Sequence, residues 1–139
     1  MRIIFVDTSF FYAFAYIKDR YHLQAVEFLA RPPSPLITTN FIFDELVTIL
    51  RYDFGHEIAA NFGEKVLNSK LCTITRITFE DEKEAWKIFR KYEDQSFSFT
   101  DCTSFALMKR LEISEAACFD AHFDTVGFTR LPPIKLRKM

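Results

Sequence analysis

Short apolar, β-branched runs alternate along this chain with stretches of helical periodicity, and that alternation constrains the fold more than any other feature. Arg2 to Val6 is the first such run, LITT (36–39) the second and LCTITRIT (71–78) the third; AACFD (116–120) makes a fourth and GFTRL (127–131) a fifth. Between them lie helical segments: TSFFYAFAY with Thr8 or Ser9 as its cap, RYHLQAVEFLA opened by Asp19 and stopped by RPPSP, and Asn40 to Arg51. Gly55 separates that helix from HEIAANFGEKVLNS, and FEDEKEAWKIFRKYED and TDCTSFALMKRL follow. Proline ends the second helix because it lacks an amide donor and restricts the residue before it. Strands alternating with helices predict an α/β domain with a parallel sheet. Without an internal repeat or linker, residues 1–139 read as one domain, ending in a basic tail, PPIKLRKM, from about 132.

Composition narrows the class. Hydrophobic residues make up 49% and charged residues 27% of 139, which fits a globular protein, and 17 phenylalanines promise a core of stacked rings. A formal net charge of −1 excludes a strongly basic nucleic-acid coat, though not a local basic patch. Cys72, Cys102 and Cys118 lack metal-ligand spacing and sit in apolar segments, so reduced core thiols are expected. The opening MRIIFVD meets an acid too soon for a signal peptide, and no apolar run approaches the ~18 residues that span a bilayer. The expected location is the cytoplasm.

Ligand sites in open parallel sheets form beyond the carboxyl ends of the strands. Asp7 immediately follows the first run and Asp120 the fourth. At 100° per residue, Glu45 shares a helix face with Phe41, Ile42 and Ile49, whereas its neighbour Asp44 falls with Asn40, Thr48 and Arg51. Asp101 shares a face with Phe105 and Met108, although a first-turn acid can also satisfy free amides. No Lys or Arg is adjacent in sequence to these acids, so four converging carboxylates would repel one another. A hard divalent cation, Mg²⁺ above all, resolves that conflict.

VDTSFF, TTNFIFDEL, SFTDCTSFAL and FDAHF resemble, in order and spacing, the four acidic motifs of PIN-domain ribonucleases, most closely the VapC-like toxins of toxin–antitoxin pairs. The resemblance runs from Asp7 to about Phe128. It implies a three-layer α/β/α fold with strand order 3-2-1-4-5 and an endoribonuclease dependent on Mg²⁺, or on Mn²⁺ in its place. It further implies a 5′-phosphate and a 3′-hydroxyl as products, a cognate antitoxin, and frequently a homodimer. The family's acids fall on Asp7, Glu45, Asp101 and Asp120, with Asp124 a nearby extra carboxylate. Thr8 and Ser9 match its hydroxyl residues, and Thr100 stands beside the third acid.

Arg20, Arg51, Arg130, Lys135, Arg137 and Lys138 are the candidate grip on RNA, although each reads first as a solvated surface charge. Mg²⁺ held by the acids would polarise a phosphate oxygen and orient water, and helix N-termini near Thr39 and Thr100 would add positive potential. His122, two residues past Asp120, reads as a surface or capping residue, and Trp86 with Phe89 as core packing. Three other readings compete. One is a catalytically silent RNA- or protein-binding module of the same fold. A receiver-like phosphoacceptor would want a second acid beside Asp7 and a late lysine, and a haloacid-dehalogenase-type phosphatase would want an acid where Ser9 stands.

Overall fold

A computed structural model describes residues 1–133. The tail residues Lys135, Arg137 and Lys138 therefore lie outside the described residues. Five strands, β1 (Ile4–Val6), β2 (Leu36–Thr39), β3 (Cys72–Thr75), β4 (Glu115–Ala117) and β5 (Thr129–Leu131), form one parallel sheet in the order β3-β2-β1-β4-β5. The alternation of strands and helices predicts the parallel sheet, and the family resemblance implies its strand order. The register sets Ile4 opposite both Leu36 and Glu115, so the central strand is paired on both edges. Ile4, Phe5 and Val6 are wholly buried, as a strand covered by helices on both faces requires.

Seven helices connect the strands: α1 (Thr8–Ala15), α2 (His22–Ala30), α3 (Asn40–Phe54), α4 (His56–Asn68), α5 (Phe79–Lys91), α6 (Phe99–Arg110) and α7 (His122–Thr125). Parallel crossovers are right-handed, so the outward path through β2 and β3 lays α1 to α4 on one face, and the return through β4 and β5 lays α5 to α7 on the other. The packing of α1 on α2 and α3, of α3 on α4, and of α5 on α6 follows from this path. Phe5, Phe105 and Phe123 fill the return side, Phe105 meeting Phe123 edge-on at 5.1 Å.

Local chemistry fixes the helix ends. Asp7, extended at φ −90° and ψ 162°, caps α1 through the Ser9 amide, so the cap lies one residue earlier than Thr8 or Ser9. The Asp19 carboxylate holds a turn through the Tyr21 amide, and α2 begins only at His22. Thr39 caps α3 by accepting from the Ile42 amide, and α3 runs on to Phe54, where Gly55 at φ 93° turns the chain into α4. A side chain at Gly55 would meet the left-handed backbone penalty. Thr78–Asp81 and Ser98–Asp101 form capping boxes at α5 and α6.

Two expectations fail here. Trp86 and Phe89 are 55% and 40% exposed, on the outer side of α5, so they are not core. The inward side of α5 is instead held by Ala85, Ile88 and the buried Asp81, which the Arg110 guanidinium grips through two bonds of 2.7 and 2.9 Å. A seventh helix, α7, also stands where the sequence shows only a link between strands.

Candidate active site

At the carboxyl edge of β1, the point where the strand order reverses, Asp7, Glu45, Asp101 and Asp120 line one open cleft of about 380 Å³. Thr8, Ser9, Tyr12, Asp19, Tyr21, Ile49 and Phe119 complete its walls, and no lysine or arginine is among them. Each acid arrives from a different element: Asp7 from the β1–α1 junction, Glu45 from α3, Asp101 from the first turn of α6, and Asp120 from the segment after β4. Asp44 is exposed, as the helical phase predicts.

Asp7 is 3% exposed and the most constrained of the four. Its Oδ2 accepts from the Ser9 amide at 3.2 Å and the Ser9 hydroxyl at 2.7 Å. The same hydroxyl accepts from the Phe119 amide at 3.0 Å, and the Asp7 amide donates to the Ala117 carbonyl at 3.0 Å. Ser9 thereby ties the end of β1 to the end of β4. Burial pushes the Asp7 carboxyl up to about 7, with the Ser9 hydroxyl opposing and the charges of Asp101 and Asp120 adding to it. Burial likewise raises Glu45; the nearby Thr8 hydroxyl opposes the shift, and Asp101, Asp120 and Asp44 reinforce it. That hydroxyl is buried and meets no partner at hydrogen-bonding geometry. A cluster this crowded with negative charge could hold a divalent cation.

Asp101 answers both descriptions that its sequence context allows. Its Oδ2 accepts from the Ser98 amide at 3.0 Å, completing the capping box, and the residue also faces the cleft. His122, expected at the surface, joins it: Nδ1 lies 3.0 Å from Asp101 Oδ2 and 3.3 Å from Asp120 Oδ2. The His122 amide also donates to Asp120 Oδ1 at 2.8 Å. One ligand atom each from Asp101, Asp120 and His122 lies within 4.8 Å of the others. The imidazole packs edge-on against Phe97 at 5.2 Å. Sequence reading missed this histidine, along with Asp19, Tyr12, Tyr21 and Phe119; the one signal was the two-residue spacing of His122 from Asp120.

The remaining candidates divide. Asp124 is not brought into the cluster; it pairs with Arg130 at 2.9 Å, which engages both groups elsewhere. Thr100 lies in the first turn of α6 but does not line the cleft; its carbonyl accepts from the Thr103 and Ser104 hydroxyls. Arg51 lines a separate groove between α3 and α4 and bonds His56 at 3.0 Å. Arg20 does not line the cleft but lies beside it, its guanidinium 5.1 Å over the ring of the lining residue Tyr21, which stacks on Phe119 at 4.6 Å.

Comparison with known proteins places this geometry. The PIN domain family model matches residues 4–129. The 23S rRNA-specific endonuclease VapC20 of Mycobacterium tuberculosis is 33% identical over 131 residues, covering 94% of this chain and 99% of that protein. A VapC ribonuclease of Archaeoglobus fulgidus is 28% identical over 129 residues, covering 88% of this chain and 81% of the relative. The crystal structure of the mycobacterial VapC20, described as a sarcin-ricin loop cleaving toxin, superposes with a TM-score of 0.85 at 32% identity, over 91% of this chain and 96% of that one. With its sheet order, its acidic cleft and these matches in agreement, this chain belongs to the PIN-domain family and is VapC-like within it.

Proposed function

We propose that this chain is a metal-dependent endoribonuclease, the toxin of a toxin–antitoxin pair, with Asp7, Glu45, Asp101 and Asp120 as the ligands of Mg²⁺ or Mn²⁺. The observation that carries the reading is the convergence of these four carboxylates in one cleft lined by no lysine or arginine. The donor set fits a hard cation, since its oxygens are anionic and two of the acids are held above their ordinary pKa by burial and mutual repulsion. When bound by these residues, a divalent cation would supply polarisation of a phosphodiester oxygen and a more acidic water.

The chain's own residues do the rest. Asp7, held at about 7, would give up its proton on becoming a ligand, and burial raises Glu45 in the same direction. Ser9 and His122 fix the orientation of Asp7, Asp101 and Asp120 by hydrogen bonds. The free amides opening α6 favour an anion beside Asp101. Arg20, stacked over Tyr21 of the cleft wall, supplies a nearby cation for the RNA backbone. With few cations at the cleft, specificity comes from RNA shape rather than from a wide phosphate footprint. The 23S rRNA named for the mycobacterial relative is the first substrate to test.

The antitoxin and a second copy of the chain are the proposed protein partners. On the N-terminal helices, Phe10 and Phe11 of α1 are core, whereas Leu23 and Val26 of α2 are exposed. Val26 and Leu29 line an apolar groove with Phe14 and Phe62 between α1, α2 and α4. No helix among the described residues is long and apolar enough to cross a membrane, in keeping with the proposed cytoplasmic setting.

Removal of metal is the direct test. RNA cleavage by metal-free protein should be absent in excess EDTA and return with Mg²⁺ or Mn²⁺. Undiminished cleavage in chelator overturns the mechanism, and RNA binding without cleavage at any metal concentration favours the catalytically silent module.

A further inference from the structure

Arg20 and Tyr21 sit in the turn that joins α1 to α2, and the fold makes that turn stiff. The Asp19 amide donates to the Tyr16 carbonyl at 3.0 Å, the Tyr21 amide to Asp19 Oδ1 at 2.8 Å, and the His22 amide to the Asp19 carbonyl at 3.1 Å. His22 Nδ1 lies 2.9 Å from the Ala13 carbonyl, which ties the start of α2 back to α1. The Tyr21 ring stacks on Phe119 at 4.6 Å with planes 5° apart, and Phe119 stacks on the fully buried Phe10 at 5.6 Å and 11°. The exposed Arg20 guanidinium, 5.1 Å from the centre of the Tyr21 ring, ends this column at the surface. A guanidinium held over a ring keeps N–H donors free for an anion while its long side chain loses freedom.

The column is keyed to the acids. Phe119 immediately precedes Asp120, and its amide donates to the Ser9 hydroxyl at 3.0 Å, the same hydroxyl that donates to Asp7 Oδ2 at 2.7 Å. One framework therefore sets both the acidic cluster and the ring on which Arg20 rests. Other arginines are committed elsewhere: Arg2 to Glu115, Arg110 to Asp81, Arg130 to Asp124, and Arg51 to His56 in a separate groove. Arg20 makes no ion pair among the described residues, although it lies beside a cleft lined by acids. Its donors are free for a phosphate. A nucleobase fits the Tyr21 ring less well, since Phe119 and Arg20 already lie against it.

We propose that Tyr21 is a positioning residue for RNA: backed by Phe119, its ring holds the Arg20 guanidinium against a backbone phosphate at the rim of the acidic cleft. The assignment rests on the endoribonuclease reading given above and adds to it how Arg20 is held. Because Phe119 is bonded to Ser9, the phosphate is gripped at a fixed offset from the carboxylates.

RNA binding measured apart from cleavage tests it, by fluorescence anisotropy of a labelled oligouridylate with the full chain in EDTA. Arg20→Ala should raise Kd ~5-fold at ~0.1 M salt and make log Kd against log salt shallower by ~0.7, the loss of one phosphate contact to a single strand. Tyr21→Leu should raise Kd by ~2- to 5-fold, the cost of ordering one long side chain on binding. Tyr21→Phe, which keeps the ring, should bind as wild type does. In an Arg20→Ala background Tyr21→Leu should add nothing, because the two residues act through one contact. Mn²⁺ affinity should stay within ~2-fold of wild type in Arg20→Ala and Tyr21→Leu, since the acids' hydrogen bonds come from other residues. A larger fall in Tyr21→Leu would make the ring a prop of the acid cluster and overturn the assignment. So would wild-type protein that does not bind the RNA, a salt slope indifferent to Arg20, or weak binding by Tyr21→Phe. A further loss from Tyr21→Leu on top of Arg20→Ala also overturns it, because a base would then lie on the ring itself. The expected binding pattern in a chain that cleaves no RNA with Mg²⁺ or Mn²⁺ supports this assignment and removes the endoribonuclease reading.

Discussion

His122 Nδ1 stands 3.0 Å from Asp101 Oδ2, and the same residue's amide holds Asp120 Oδ1 at 2.8 Å, so one side chain and its own backbone grip acids from two separate elements. Both bonds received by Asp101, from Ser98 and from His122, fall on Oδ2, which leaves Oδ1 for another partner. The histidine thus sets which oxygen of Asp101 is available to a cation. Groups that orient ligands in this way commonly change metal affinity when removed.

His122→Ala should therefore weaken Mn²⁺ binding by at least ~10-fold, within the range seen when outer partners of metal ligands are lost. His122→Asn, which retains a short N–H donor, should recover part of that loss. Calorimetric titration with Mn²⁺ measures both without reference to cleavage. Equal affinity in wild type and His122→Ala would show that the carboxylates need no such hold.

Asp101→Asn sets two effects against each other. It relieves repulsion on Asp7 and Glu45, both of which are raised in part by Asp101. It also weakens a capping box, typically worth ~1 kcal/mol. The metal-free variant should then melt within ~1 kcal/mol of wild type while cleavage is lost. A much larger fall in stability would make Asp101 chiefly a structural cap.

The parallel sheet and the convergence of the acids were legible because they rest on features that survive in one dimension, apolar runs, strand ends and helical phase, whereas the strand order came only with the family resemblance. Glu45 and Asp44 separate cleanly by phase, and the structure exposes Asp44 while placing Glu45 at the cleft. Trp86 was misread because an apolar stripe at helical spacing looks the same whether the fold covers it or leaves it exposed. His122 was missed because a four-residue helix has no periodicity to orient it. Asp124 looked available until the fold brought Arg130, from the neighbouring edge strand, within 2.9 Å.

The pH dependence of metal-free stability follows from Asp7. Its carboxyl is lifted from 3.8 to about 7, so between those values the folded protein holds a proton that the unfolded chain has released. Stability should fall as pH rises across that window and level off above it, and the raised Glu45 acts in the same direction. Asp81 acts oppositely: burial alone would raise it, but the Arg110 fork and the Thr78 amide outweigh burial and hold it low. Its contribution is present at neutral pH and lost in acid. Asp7→Asn should flatten the limb between pH 4 and 7 while sparing the acid limb. Mn²⁺ affinity of the wild type should climb over the same interval as protons leave the site. Melting curves without metal that show wild type gaining stability from pH 4 to 7 relative to Asp7→Asn would reverse the assignment.

Adjacent acids Asp44 and Glu45 give the sharpest discrimination, because composition and local charge barely separate them. Helical geometry directs Glu45 toward the cleft, where burial and the charges of Asp101 and Asp120 raise its pKa, and leaves Asp44 exposed. Glu45→Gln keeps size and hydrogen bonding but removes the charge. It should lower cleavage and Mg²⁺ affinity by at least ~10-fold, on the scale of altered metal-site ligation. Without metal it should melt no lower than wild type, since a carboxylate whose ionised form is disfavoured has been neutralised. Asp44→Asn should shift stability by no more than ~0.5 kcal/mol, as exposed substitutions usually do. It should leave metal affinity nearly unchanged, because Asp44 is exposed and does not line the cleft. A Mg²⁺ titration separates the causes: lost affinity is rescued by more metal, and a lost chemical role is not. An inactive Asp44→Asn beside an active Glu45→Gln would mean that α3 presents the wrong acid to the cleft, and the four-carboxylate site would have to be redrawn around Asp44.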